Sequence, residues 1–210
     1  VQVLTNIGAL ATCRSDGGQG DLHVIERAAL AWEGDTLAFV GEEAALPAAF
    51  AGAPRIDAGG RLVVPGLVDC HTHLGFGGWR SDEFVRRLQG ESYLDIARAG
   101  GGIARTMRDT RALGKAGLLA RMRGFLREMG KLGVTTVEAK SGYGLELEAE
   151  LRVLAAYREL DEGGGQRIVP TFLGAHVVPP EWRSDRAGYV REVVERMLPR
   201  VAAEGIARFC

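Results

Sequence analysis

The stretch "RLVVPGLVDCHTH" (Arg61–His73) is an almost unbroken apolar run that ends in two histidines. Such a run is typical of a parallel strand that is buried on both faces. Because residues i and i+2 of a strand point to the same face, we expect His71 and His73 to project together from its carboxyl end. Two neutral imidazoles on one side suit a divalent cation such as zinc or iron. The stretch therefore predicts a buried strand that carries two ligands of one metal ion.

The chain after this strand alternates helical and strand patterns. Apolar residues recur at spacings of three and four in three segments, which short β-rich runs such as "VTTVEAK" and "RIVPTFLG" separate. The three stripes consist of Leu119, Met122, Leu126 and Met129, of Leu147, Leu151 and Leu154, and of Val190, Val194, Met197 and Val201. This alternation predicts parallel βαβ units, which build either an open doubly wound sheet or a (β/α)₈ barrel.

Two glycine patterns bear on the choice between an open sheet and a barrel. No GxGxxG follows the first strand, which weakens the dinucleotide-binding version of the open sheet. The glycine-rich "AGGGIARTM" (99–107) follows a helical stretch, and we interpret it as a loop that enters a helix.

The first part of the chain is predicted to be a separate β unit. The polar turn Glu33-Gly34-Asp35 lies between two apolar-rich runs, which indicates a hairpin. The only helix expected before residue 80 is a short one in "AALPAAF" (44–50). The sequence thus predicts an N-terminal β domain over residues 1–58 and an α/β domain over residues 59–210.

Composition narrows the classes of partner and the compartment. The formal net charge is −1 and no run of like charge stands out, so neither nucleic acid nor a membrane surface is an expected partner. No apolar stretch is long enough to span a bilayer. Cys13, Cys70 and Cys210 are widely spaced and form no CxxC pair. They are expected to be unpaired, buried thiols of a cytoplasmic protein.

Four stretches of the chain resemble one enzyme family. "PG", an apolar segment and then Asp69, His71 and His73 look like the first barrel strand of the amidohydrolase superfamily. Within that superfamily the chain resembles the imidazolonepropionases in "HTHLGFGGWR" (71–80), "LQGESYLDIARAGGGI" (88–103), "GVTTVEAKSGYGL" (133–145) and "PTFLGAHVVPPEW" (170–182). The resemblance implies a small β-sandwich domain followed by a TIM-like (β/α)₈ barrel, of which only the first half is present.

The resemblance also implies a reaction. Imidazolonepropionases hydrolyse a carbon–nitrogen bond of 4-imidazolone-5-propanoate to give N-formimidoyl-L-glutamate in histidine degradation. One divalent metal ion, zinc or iron, would be held by His71 and His73 and would lower the pKa of the attacking water. The remaining metal ligands and the general base are expected C-terminal to Cys210. A homodimer is also considered.

Four further residues take substrate-binding roles in this reading. Arg80 follows the two histidines, and a guanidinium binds a carboxylate such as the propionate through two parallel hydrogen bonds. Tyr143 lies between two glycines after the second barrel strand, and His176 follows the third. Tyr93 matches a tyrosine near the substrate, although it also fits the core of a short helix. Lys140 is interpreted as a structural residue at the end of its strand.

Two alternatives stay open. Another cyclic-amide hydrolase of the superfamily, such as a dihydroorotase or hydantoinase, also fits paired histidines. Dihydroorotases tend to place arginine two residues after the second histidine, where this chain has Gly75. A non-catalytic, truncated relative that serves as a scaffold for a partner is the other alternative.

Overall fold

The computed structural model describes residues 1–210, which form two compact units, Val1–Pro65 and Gly66–Cys210. The division lies after Pro65 rather than after residue 58, because Leu62–Val63 pair with the first strand of the chain. The apolar run Arg61–His73 is therefore two strands and not one. Pro65 lies between them, and a proline has no amide hydrogen with which to continue a strand ladder.

The first unit contains one sheet in the order β3-β2-β1-β4, with β5 also paired to β1. Its strands are β1 Gln2–Ala11, β2 Val24–Glu33, β3 Thr36–Glu42, β4 Arg55–Asp57 and β5 Leu62–Val63. Strands β1, β2 and β3 are antiparallel neighbours, whereas β4 and β5 run parallel to β1. Ile7, Leu10 and Ala28 form the centre of its buried cluster.

Local signals in the first unit are confirmed. The predicted hairpin joins β2 to β3, and Gly34 takes the left-handed backbone (φ 58°) that its turn requires. The short helix expected over residues 44–50 is present as two 3₁₀ turns, Glu43–Ala45 and Ala48–Phe50. Pro47 lies between these turns.

The second unit contains three parallel strands in the order β6-β7-β8, namely β6 Leu67–Thr72, β7 Val134–Lys140 and β8 Arg167–Thr171. A parallel bridge between Thr171 and Phe209 marks a further strand position beside β8. The helices are α1 Ser81–Leu88, α2 Tyr93–Arg98, α3 Ile103–Ala112, α4 Lys115–Lys131, α5 Leu147–Glu162, α6 Arg186–Arg191 and α7 Leu198–Glu204. A 3₁₀ turn spans Pro180–Trp182, and a π-helix (Glu192–Met197) joins α6 to α7. None of these helices combines the length and hydrophobicity that a membrane-spanning helix needs.

The core of the second unit lies between the parallel sheet and helices α4 and α5. The first two predicted stripes are confirmed, because Met122 and Leu126 of α4 and Leu151 and Leu154 of α5 are buried there. Full burial of one such side chain is worth about 1.5–3 kcal/mol. The loop predicted from "AGGGIARTM" enters α3 as expected.

The third predicted apolar stripe begins on the wrong residues. Val190 and Val194 are exposed, whereas Tyr189 and Val193 are buried together with Met197. The buried positions recur at every fourth residue because the π-helix has a wider turn than an α-helix. A search for α-helical spacing therefore selects the neighbouring face.

Two burial predictions are wrong. Strand β6 is not buried on both faces, since Leu67 and Val68 are exposed at 50% and 63%. The reason is that β6 lies at the edge of its sheet and pairs only with β7. The cysteines are free as predicted but exposed rather than buried. Cys13 follows β1 in a loop, and Cys70 lies on the uncovered strand β6.

Candidate active site

Three side chains that follow the three parallel strands contact one another. The rings of His73 and His176 stack with centroids 4.6 Å apart and planes 16° apart. The Tyr143 ring lies 4.7 Å from His73 and 5.4 Å from His176. Because β6, β7 and β8 are parallel, their carboxyl ends meet at one edge of the sheet. The structure thus brings a predicted metal ligand together with two predicted substrate ligands.

The two predicted metal ligands differ in their surroundings. His71 is exposed on β6, and His73 is half-buried directly after that strand. Burial and, next, the nearby His176 imidazole lower the pKa of His73 to about 4, so this ring is neutral near pH 7. Its Nδ1 atom is buried without a hydrogen-bond partner. A neutral imidazole with an unpaired nitrogen is the form that binds a metal ion.

Few side chains that could bind a metal ion lie close together in this region. No group of three or more His, Cys, Asp or Glu side chains lies close enough together to hold a metal ion. Structural and catalytic zinc sites use at least three protein ligands. The residues present therefore fit a metal ion as two members of a larger ligand set.

Arg80 belongs to the same region. It precedes α1, and it lines a cavity of about 160 Å³ together with His73 and Tyr143. Its guanidinium is partly exposed, and Nη1 lies 3.7 Å from Oε2 of the buried Glu83. Glu83 in turn accepts hydrogen bonds from the Gly102 amide at 3.0 and 3.1 Å. The Arg80 guanidinium therefore has a fixed anchor and an open side that can receive an anion.

A second arginine fixes the loop that leads to Arg80. The Arg121 guanidinium lies 5.0 Å from the Phe76 ring centroid and 4.9 Å from that of Trp79. It also donates hydrogen bonds to the carbonyls of Phe76 at 3.1 Å and Gly78 at 2.8 Å. These contacts combine cation–π attraction with hydrogen bonding. Sequence reasoning missed Arg121, because its partners lie far away in the chain.

Tyr157 joins the ends of two strands. This wholly buried side chain accepts a hydrogen bond from the Gly75 amide at 2.8 Å and donates one to the Lys140 carbonyl at 2.8 Å. Gly75 follows the loop residue His73, and Lys140 ends β7. Burial raises the pKa of the Tyr157 hydroxyl, which stays protonated and keeps its donor role. Tyr157 thus sets the distance between the His73 loop and the Tyr143 loop.

Tyr157→Phe is expected to lower the free energy of unfolding by about 1–3 kcal/mol, since it leaves a buried amide and a buried carbonyl without a partner. Tyr93→Phe is the matched control because the Tyr93 side chain is half-exposed and its hydroxyl makes no hydrogen bond. The control should change stability by less than about 0.5 kcal/mol. Urea unfolding measures both, and equal stabilities for the two variants would contradict the bridging role of Tyr157.

The remaining predicted residues lie outside the ring cluster. Tyr93 begins α2, and it neither contacts the three rings nor lines the Arg80 cavity. The Lys140 ammonium lies 2.7 Å from the Glu138 carboxylate. Burial alone would raise the pKa of Glu138, but hydrogen bonds from Lys140 and Thr171 lower it overall. This ion pair agrees with the structural role expected for Lys140.

The chain is similar in sequence to curated proteins of one enzyme family. No family model matches the chain. It is 50% identical to the imidazolonepropionase of Acidiphilium cryptum over 198 residues, which are 94% of this chain and 48% of that protein. It is 49% identical to the imidazolonepropionase of Paraburkholderia phymatum over 189 residues, which are 90% of this chain and 47% of that protein. The chain spans about half the length of the curated relatives that it matches.

A comparison with solved structures concerns the fold alone. The structure of A. niger ochratoxinase matches 81% of this chain and 31% of its own chain, with a TM-score of 0.50 and 21% identity. The fold that this structure shares with the chain is of the mixed α/β class.

Proposed function

The chain belongs to the imidazolonepropionase family over the half of those proteins that it spans, and we propose that the protein hydrolyses 4-imidazolone-5-propanoate. The reaction breaks a carbon–nitrogen bond of the imidazolone ring and yields N-formimidoyl-L-glutamate, a step of histidine degradation. The observation that carries this proposal is the cavity at the carboxyl ends of the parallel strands, where His73, Arg80 and Tyr143 meet. Such strand ends are the usual place for an active site in barrel enzymes.

The proposed architecture is a (β/α)₈ barrel preceded by a β-sandwich domain. Strands β6, β7 and β8 would be its first three strands, and the bridge at Phe209 would begin the fourth. The exposed apolar residues Leu67 and Val68 on the open edge of β6 support closure by a further strand. In the first unit, an apolar groove of about 850 Å³ lined by Leu10, Leu30 and Val40 supports a second layer over the sheet.

His71 and His73 would hold one divalent metal ion, either zinc or iron. A bound ion of this kind lowers the pKa of a water molecule and stabilises negative charge that develops on the substrate. The neutral state of His73 and its unpaired Nδ1 support the assignment. Because the chain spans half of its relatives, we propose that the other ligands and the general base follow Cys210.

The other side chains would bind and orient the substrate. Arg80 would accept the propionate on its open side through two parallel hydrogen bonds. The Nδ1 atom of His176 lies 3.0 Å from the Gly142 carbonyl, which only accepts, so Nδ1 carries the proton. In the tautomer with its proton on Nδ1, the His176 ring would offer the Nε2 lone pair to a donor on the imidazolone ring. Tyr143 would add a phenol to the same wall of the cavity.

The cysteines and the size of the cavity bear on the compartment and on the substrate class. We propose that the enzyme is cytoplasmic, because its three cysteines are unpaired. We also propose a small-molecule substrate, which a cavity of about 160 Å³ can hold.

A substrate panel tests the proposed activity. The protein is expressed to its natural stop codon, supplied with zinc or iron, and incubated separately with 4-imidazolone-5-propanoate, dihydroorotate and hydantoin. We expect hydrolysis of the first compound and the appearance of N-formimidoyl-L-glutamate. Turnover of dihydroorotate or hydantoin alone would indicate another cyclic-amide hydrolase, and no turnover of any of the three would indicate a non-catalytic relative.

A further inference from the structure

Glu150 is a wholly buried carboxylate beneath the loop that carries Tyr143. It lies on α5, and its side chain accepts hydrogen bonds from the Leu145 amide at 2.7 Å and from the Gly142 amide at 3.0 and 3.2 Å. Gly142 and Leu145 bracket Tyr143 on both sides. The carboxylate therefore fixes both ends of the short segment from which the Tyr143 ring projects.

The same carboxylate reaches the loop that carries His176. The Ser141 hydroxyl accepts a hydrogen bond from the Leu173 amide at 3.0 Å, and the same side chain acts to lower the pKa of the Glu150 carboxyl against the effect of burial. Leu173 lies at the start of the His176 loop. Ser141 therefore lies between the Glu150 carboxylate and the backbone after β8, and it is hydrogen-bonded to that backbone.

The two loops also meet at Gly142. Its carbonyl accepts the hydrogen bond from Nδ1 of His176, and its backbone has a φ of 101°. A Cβ atom at this position would lie 2.7 Å from the Leu173 carbonyl oxygen, so a glycine is needed for the close approach. The position of Gly142, which Glu150 holds, thus decides where the His176 ring lies.

Packing alone does not account for a carboxylate at this place. No cation contributes to the electrostatics of Glu150, and burial raises the pKa of its carboxyl. Burying such a group is costly unless hydrogen bonds compensate it. Every hydrogen bond of the Glu150 carboxylate goes to the Ser141–Leu145 segment. Its partners therefore point to the ordering of the two loops as its role.

We propose that Glu150 is a positioning residue, which holds Tyr143 and His176 against His73 without touching the substrate. The loss of activity expected without Glu150 rests on the proposed function, whereas the expected displacement of the His176 ring does not. A small displacement of binding groups is enough to matter, since misplacement by about 1 Å can cost about 10²-fold in rate.

The kinetic experiment compares two variants of Glu150 with two controls in the protein expressed to its natural stop codon. Glu150→Ala is expected to lower kcat/KM for 4-imidazolone-5-propanoate about 10²-fold without a change in bound metal. Glu150→Gln keeps one acceptor oxygen and is expected to lose about threefold or more. Glu148→Gln, on the exposed face of the same helix, should retain wild-type kinetics.

Leu126→Ala separates positioning from general destabilisation. Leu126 is buried on α4, where it lines a cleft with Leu160 and Gln166, so its truncation should lower the unfolding midpoint without lowering kcat/KM at a temperature where the variant is folded. If Leu126→Ala lost as much kcat/KM as Glu150→Ala at equal stability, Glu150 would be an ordinary core residue and the proposal would be wrong.

Nuclear magnetic resonance of ¹⁵N-histidine provides a readout that does not need turnover. We expect the His176 signal of the wild type to show a protonated Nδ1, and the signal of Glu150→Ala to shift toward a mixture of tautomers. A shifted signal in a protein that does not hydrolyse the substrate would keep the positioning role and reject the proposed activity. If Glu150→Ala does not fold, the kinetics and the His176 signal of Glu150→Gln test the proposal instead. Wild-type kinetics and a wild-type His176 signal in the folded variant would overturn the proposal.

Discussion

Replacing His73 with alanine is expected to lower kcat/KM for 4-imidazolone-5-propanoate by at least about 10³-fold and to remove most of the bound metal. A catalytic metal ion contributes several kcal/mol of transition-state stabilisation, and about 4 kcal/mol corresponds to a factor of about 10³. His71→Ala should act in the same direction because both imidazoles are proposed ligands of one ion. Elemental analysis and steady-state kinetics measure the two effects.

His23→Ala is the control for this experiment, since His23 is a half-exposed histidine of the first unit. It should retain wild-type metal content and activity. A metal stoichiometry equal to that of the wild type in both His71→Ala and His73→Ala would show that these residues are not the ligands.

Arg80→Met is expected to lower kcat/KM about thirtyfold or more, because loss of one charge-assisted pair costs about 2–5 kcal/mol when its partner stays buried. Arg80→Lys should recover little of this loss, since an ammonium lacks the planar fork that pairs with both carboxylate oxygens. The change should be smaller for a substrate analogue that lacks the propionate carboxylate. Steady-state kinetics with both compounds measure this difference.

Arg87→Met is the matched control, because Arg87 is an exposed arginine of α1 that forms no salt bridge or side-chain hydrogen bond. Its kinetics should equal those of the wild type. An Arg80→Met protein with near-normal kcat/KM, or with equal losses for the two compounds, would refute carboxylate recognition by Arg80.

The sequence was sufficient to predict the parts of the fold that depend on local pattern. The parallel strands and the helices α4 and α5 follow from periodicity, and the contact of His73, Tyr143 and His176 follows from the parallel arrangement of strand ends. Each of these inferences requires only the order of elements along the chain and the rule that parallel strands end on one side.

The supporting residues of the site were not predictable in the same way. Tyr157 is bonded to Gly75, 82 positions earlier in the chain, and Arg121 is bonded to Phe76, 45 positions earlier. In the sequence Tyr157 looks like one more apolar residue of a helical stripe, and Glu150 looks like a surface acid. A regular periodicity also contains no sign of a π-helical turn or of an uncovered strand edge, which is why the third stripe and the burial of β6 were predicted wrongly.

The most direct measurement of the proposed site is anomalous diffraction from crystals of the zinc-loaded protein, expressed to its natural stop codon and soaked with a non-hydrolysable analogue that keeps the propionate. We expect one anomalous zinc peak in contact with His71 and His73, and the analogue carboxylate paired with Arg80. A zinc peak bound elsewhere, with both histidines free and the carboxylate remote from Arg80, would contradict the proposed function.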